Sequence, residues 1–253
     1  MQEREPAVPS PNVGSSSFLA LLSTAKIVVL AAIGLLLLSG TAFGLSEALH
    51  RDQLTETVLT NRVREIVVEA DVGDVDIRAG LTRDVVIDHH DAGLLDRPTI
   101  SEHYAAGVLT IRAACGGLKA VLRCRSNLLI AAPPEVDVRI KTKSGNVDLR
   151  GLNGRADVQT DSGDIRTHRL EPVTMHASTA AGDVNLDLFG QPARTEARSS
   201  AGNVRVTVPY GPYRVDATAG AGNVKVEGVI RDDLAPQAIM ALTDAGNITV
   251  RAR

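Results

Sequence analysis

The sequence predicts an all-β fold: a β-solenoid of stacked strand repeats preceded by one transmembrane α-helix. Three observations predict it. A small residue or valine, then Gly, then Asn or Asp, then Val or Ile recurs seven times, mostly in the C-terminal half. Around these strings aliphatic and polar residues alternate with period two, which buries one face of a strand and wets the other. Near the N-terminus, nineteen consecutive residues carry no charge.

In chain order, residues 1–26 are expected to form a disordered cytoplasmic tail. Pro6, Pro9, Pro11 and Ser15, Ser16 and Ser17 dominate its first part, with almost no large apolar side chains to offset the entropy of ordering. Ile27 to Leu45 is the uncharged run, residues 27–45. Nineteen residues at 1.5 Å rise make about 28 Å of helix, close to the hydrocarbon thickness of a bilayer. A cleaved signal peptide is the rival reading, with Ala42-Phe43-Gly44 as a small-x-small cleavage site. The long apolar run and the polar leader before it favour an uncleaved anchor. Residues 46–62 read as a polar, helical stalk, with Glu47, His50, Arg51 and Asp52 around Leu49 and Leu54. Lys26 on one side of the span and Arg51, Arg62 and Arg64 on the other leave orientation undecided by charge. A long folded domain translocates regardless of nearby charge, and a cysteine pair suits an oxidising compartment. The expected location is therefore the cell membrane, single-pass, with the repeat domain extracytoplasmic.

Residues 63–253 hold the repeat domain. The turn glycines are Gly73, Gly145, Gly163, Gly182, Gly202, Gly222 and Gly246, and the last six lie 18, 19, 20, 20 and 24 residues apart. A near-constant period of this length marks an architecture in which each unit is one supersecondary element. Val136, Val138 and Ile140 alternate with Asp137, Arg139 and Lys141, and Val204, Val206 and Val208 with Arg205 and Thr207. Second strands fit between the glycines, as at 156–160, 173–177 and 214–218. Each repeat is thus strand, tight turn at Gly, strand, connector. A stack of hairpins in a sandwich or barrel remains open, but the constant period favours coil upon coil, which places the Asn and Asp in a ladder along one edge.

Composition agrees. Aromatic residues are 2% of the chain, so Val, Leu, Ile and Ala must fill the interior. A net charge of −3 gives no footprint for nucleic acid. Cys115 and Cys124 enclose eight residues, short enough for a disulfide worth roughly 2 to 3 kcal/mol in an exported protein. Two buried free thiols are the alternative. Two cysteines alone do not supply the four ligands of a structural zinc site.

The string from Pro133 to Leu152, PPEVDVRIKTKSGNVDLRGL, together with Ala106-Gly107-Val108-Leu109-Thr110-Ile111 upstream, resembles the bacterial putative adhesin family of β-strand-repeat envelope proteins. The resemblance covers roughly Ile66 to Val250. It implies a right-handed β-helix-like fold, export, and a single membrane helix, and it brings no catalytic residues.

Chemistry-bearing clusters are few. In Asp88-His89-His90-Asp91 adjacent side chains of a strand point to opposite faces, so only Asp88 with His90, or His89 with Asp91, could share a metal. A polar strand end is the expected reading, and no metal or cofactor is expected. His103, His168 and His176 stand isolated in the sequence. Arg139-Ile140-Lys141 and Asp232-Asp233 are the nearest approach to a polysaccharide-cleaving β-helix, yet Arg139 and Lys141 are explained as outward residues of an alternating strand. The motif residues Asp74, Asn146, Asp164, Asp183, Asn203, Asn223 and Asn247 read as turn residues rather than calcium ligands, because four of the seven are uncharged amides. Without Trp, and with Tyr104, Tyr210 and Tyr213 the only tyrosines, sugar-stacking platforms are scarce.

The expected function is non-enzymatic: a membrane-anchored cell-envelope protein presenting a rigid β-solenoid for adhesion or contact with an envelope protein or polymer. An accessory or sensor of a regulatory membrane system is the alternative, and a carbohydrate-active enzyme a distant third.

Overall fold

The structure, a computed structural model, describes residues 53–92, 98–115 and 124–253. These residues form twenty strands and no helix, arranged in two ten-stranded sheets. The predicted tail 1–26 and membrane helix 27–45 lie outside the described residues. Among the described residues, no helix is long and apolar enough to cross a membrane.

Seven of the strand pairs are rungs, each crossing from one sheet to the other at a motif glycine. Glu65–Val72 (β2) and Val75–Ala79 (β3) flank Gly73; Asp137–Ser144 (β8) and Val147–Arg150 (β9) flank Gly145; Ala156–Ser162 (β10) and Ile165–His168 (β11) flank Gly163. Thr174–Ala181 (β12) and Val184–Asp187 (β13) flank Gly182, and Arg194–Ala201 (β14) and Val204–Val208 (β15) flank Gly202. Pro212–Ala221 (β16) and Val224–Glu227 (β17) flank Gly222, and Ala238–Ala245 (β19) and Ile248–Ala252 (β20) flank Gly246. Neighbouring rungs pair parallel and without register slip, so equivalent residues stack in columns: Val75, Val147, Ile165, Val184 and Val204 form one. Period two then sends every second residue of both sheets inward. The core is one continuous cluster of Val, Ile, Leu and Ala, and Tyr213 is its only fully buried aromatic side chain among the described residues.

Strands outside the rungs close the other end. Gln53–Leu59 (β1) pairs antiparallel with Val85–Ala92 (β4), which pairs antiparallel with Arg125–Ala132 (β7); β7 is parallel to β3. In the second sheet Thr99–Ala105 (β5) is antiparallel to Val108–Ala114 (β6), and β6 is parallel to β2. The stretch read as a stalk therefore needs correction: Gln53–Leu59 is an edge strand of the first sheet. Its run of Leu54, Thr55, Thr57 and Val58 suits a strand once β4 offers a partner edge.

Rung order also departs from chain order. The last repeat, β19 and β20, is inserted between β14/β15 and β16/β17, so the rung at Gly246 separates those at Gly202 and Gly222. The stack ends at Gly222, not at the C-terminus. A longer connector after β17, which carries the short strand Ile230–Arg231 (β18) beside Pro212 and Tyr213, gives the chain the slack to double back. Arg253 folds back on the surface of the stack, with its guanidinium on Asp187 and 4.3 Å from the centroid of the Phe189 ring.

Candidate functional site

The turn edge carries a regularly repeated polar feature. All seven motif glycines have φ between 138° and 152°, a region that L side chains rarely adopt. Close stacking adds a second demand: a Cβ on Gly182 would lie 2.1 Å from the carbonyl oxygen of Gly163. Beside the glycines runs the expected ladder, and its geometry shows what the Asn and Asp do. Each side-chain Oδ1 accepts the backbone N–H of the equivalent residue one rung on. Asp74 accepts from Asn146 (2.8 Å), Asn146 from Asp164 (2.9 Å), Asp164 from Asp183 (2.8 Å) and Asp183 from Asn203 (2.7 Å). The series continues in spatial order, from Asn203 to Asn247 (3.0 Å) and from Asn247 to Asn223 (3.0 Å). Each motif Asn and Asp that accepts such a bond commits one oxygen to the backbone of the next turn.

One further step of the ladder, on β7 outside the seven rungs, escaped the sequence pattern. Asn127 Oδ1 accepts the N–H of Asp74 at 3.0 Å, extending the ladder past Gly73. Its motif is hidden because Ser126 stands where glycine would. Cys115, just after β6, and Cys124, just before β7, are joined by a disulfide. The signal available in the sequence was the Ser126-Asn127-Leu128 string, one residue beyond Cys124.

Inside the turns lies a third ladder that the sequence reading missed. Thr179 Oγ1 donates to the carbonyl of Gly163 (3.0 Å), Ser199 Oγ to that of Gly182 (2.8 Å), and Thr243 Oγ1 to that of Gly202 (2.8 Å). Thr160 donates similarly to Gly145 at 3.3 Å. The column begins at Thr142, whose hydroxyl has no hydrogen-bond partner among the described residues, and it lapses at Ala219 on the terminal rung.

The outer face of the second sheet carries charges in register. Arg112 lies 2.7 Å from Glu69, Arg139 3.0 Å from Glu65 and 3.9 Å from Asp157, and Lys143 2.8 Å from Asp71. The Lys143 ammonium, with the N–H of Cys115 as a second donor, holds the Asp71 carboxyl below the usual carboxylate range. His176 and Arg198 both meet Glu196. Two shallow grooves share this face and meet at Gln159 and Asp161. One runs between Arg112, Lys141 and Lys143, and the other is floored by Ser178, Ala180 and Ser200. On the first sheet, burial pushes the Asp76 carboxyl up, Arg150 opposes that, and Asp148 adds to it.

The remaining candidates fall apart spatially. Asp88, His89 and His90 sit on β4 opposite Glu56, Thr55 and Leu54 of β1, and among the described residues no group of three or more His, Cys, Asp or Glu could hold a metal. Arg139 is on the outer face of the second sheet, whereas Asp232 lies on the connector after β17, accepting the N–H of Leu234. His168 meets Asp148 at 3.5 Å, and His103 is exposed on β5.

Residues 132–251 match the family model described as Toastrack DUF4097. No curated protein matches the chain. Among solved structures, a "putative cell adhesion protein" from Clostridium sporogenes is similar at 14% identity, over 80% of this chain and 100% of that one, with a TM-score of 0.48. A "putative adhesin" from Bacteroides fragilis matches at 14% identity over 79% and 97%, TM-score 0.43. A "putative lipid binding protein" from Parabacteroides distasonis matches at 8% identity over 81% and 98%, TM-score 0.36.

Proposed function

We propose, from the Toastrack match over residues 132–251 and the physical character of the domain, that this chain is a non-enzymatic, membrane-anchored cell-envelope protein. In this reading residues 27–45 anchor it and the β domain stands outside the cell as a rigid contact surface for an envelope protein or polymer. The single observation that carries the proposal is the outer face of the second sheet. In-register stacking fixes its charged columns and its two grooves on a frame whose interior is filled with aliphatic side chains. A surface of that kind suits recognition by many weak polar contacts, because the frame costs little further ordering on binding. The Cys115–Cys124 disulfide supports an oxidising location.

The test is labelling of intact cells with a membrane-impermeant thiol reagent, before and after reduction, on the native chain and on one carrying a new cysteine in the tail. Labelling of Cys115 and Cys124 only after reduction, with the tail protected, is the expected outcome. A labelled tail with a protected pair would place the β domain in the cytoplasm and end the envelope reading.

A further inference from the structure

The rung that terminates the stack is built like an interior rung. Val224 occupies the column of Val75, Val147, Ile165, Val184, Val204 and Ile248. Those six are at most 1% exposed, whereas Val224 is 42% exposed. Val226, and Ala217 and Ala219 across the turn on β16, are likewise only partly buried against the core. β17 pairs with β20 on one side and with no described strand on the other, and β18 covers β16 only at Pro212 and Tyr213. Terminal repeats ordinarily present a polar outer face, and free sheet edges are ordinarily blunted by uncompensated charge. Here the outward charges of β17 compensate each other: Lys225 Nζ lies 2.7 Å from Glu227 Oε1, with Val226 between them.

That order, Lys-Val-Glu, is self-complementary. We propose that β17 pairs antiparallel with β17 of a second copy of this chain about a two-fold axis through Val226. Lys225 then stands opposite Glu227 of the partner subunit, and Glu227 opposite Lys225 of the partner subunit, so unlike charges meet at both positions. Val224 and Val226 of both copies cover each other and continue the core. Ala219 is as far from the Gly222 turn as Val226, so the same axis sets β16 against its copy around Ala219. Ala217 then faces Ala221 of the partner subunit, and Thr218 faces Gly220 of the partner subunit. All are small and uncharged, and β18 lies outside the paired stretch. The axis closes the assembly at two copies and satisfies the free backbone groups of both edges. This interface is separate from the outer face proposed above for envelope contact.

Sedimentation velocity of the full chain in mild detergent, across a concentration series, tests it. A reversible monomer–dimer equilibrium is expected, with no larger species. Lys225→Glu sets two like-charge pairs across the axis and should raise the dimer dissociation constant about tenfold or more. The double variant Lys225→Glu, Glu227→Lys should restore it, while thermal melts show all three chains folded. A chain that stays monomeric throughout, an open-ended series of larger species, or a dimer indifferent to Lys225→Glu would overturn the proposal.

Discussion

The backbone N–H of Asn146 donates to Asp74 Oδ1 at 2.8 Å, although 72 residues separate the two along the chain. Residues 85–132 fill that interval with the strands that close one end of the stack, and the rung at Gly145 then settles directly on the rung at Gly73. The ladder is therefore spatial before it is sequential, and its strength rests on the fit between one turn and the next.

Gly182→Ala is expected to cost about 3 kcal/mol or more. The new Cβ meets the Gly163 carbonyl at 2.1 Å and forces an L residue to φ of +148°. Gly80→Ala, where the nearest atom is 3.5 Å away, serves as the control and should change stability by well under about 1 kcal/mol. Urea denaturation of both chains measures the difference.

The buried hydroxyl column separates two outwardly similar substitutions. Thr179→Val removes the donor to Gly163 and leaves that carbonyl short of a partner, at about 1 kcal/mol. Thr142→Val removes a hydroxyl that bonds to nothing described, so it should be neutral or stabilising. Equal losses in chemical denaturation would show that the column contributes packing rather than hydrogen bonds.

Reduction of Cys115–Cys124, or the double change to Ser, should cost about 2 to 3 kcal/mol, the entropy of a loop this short. Because the pair sits beside Ser126 and Asn127, hydrogen exchange should rise first at the Asp74 amide. Amides near Gly202 should keep their protection.

Two carboxylates give pH effects of opposite sign. The folded pKa of Asp71 is depressed, so its contribution is present above the ordinary carboxylate pKa and is lost as pH falls through the folded value. Asp71→Asn should lower the melting temperature at neutral pH and make little difference in strong acid. The folded pKa of Asp76 is raised, chiefly by burial, so its contribution is present in acid and is lost as pH rises through the folded value. Asp76→Asn should raise the melting temperature at neutral pH. Melting curves of both variants from acid to neutral pH provide the check.

The turns were legible in the sequence because their demand is local. Only glycine satisfies both the φ and the contact at Gly182, and a residue such as Asp183 beside it follows from hydrogen bonding one rung on. What was not legible depends on partners far along the chain. The repeats around Gly222 and Gly246 share Ala-Gly-Asn followed by a β-branched residue, so neither tells which stacks on Gly202; the 24-residue interval, against 18 to 20 between the preceding glycines from Gly145 on, was the trace. Gln53–Leu59 reads equally as a polar helix or an edge strand until β4 supplies its hydrogen bonds. The charged columns of the outer face, Arg139 between Glu65 and Asp157 for instance, become a surface only when the register is known.

The inserted position of β19 and β20 has a consequence for the order of events during biogenesis. A chain emerging N-terminus first can seat each rung through Gly202 as it appears, but the rung at Gly222 has no permanent neighbour until Ala252 has arrived. Completion of the rung at Gly222 therefore waits on β19 and β20, which enter as a keystone between parts already made. Until then β17 has no partner strand and β16 has only the two-residue β18, so both edges of the unfinished stack stand open.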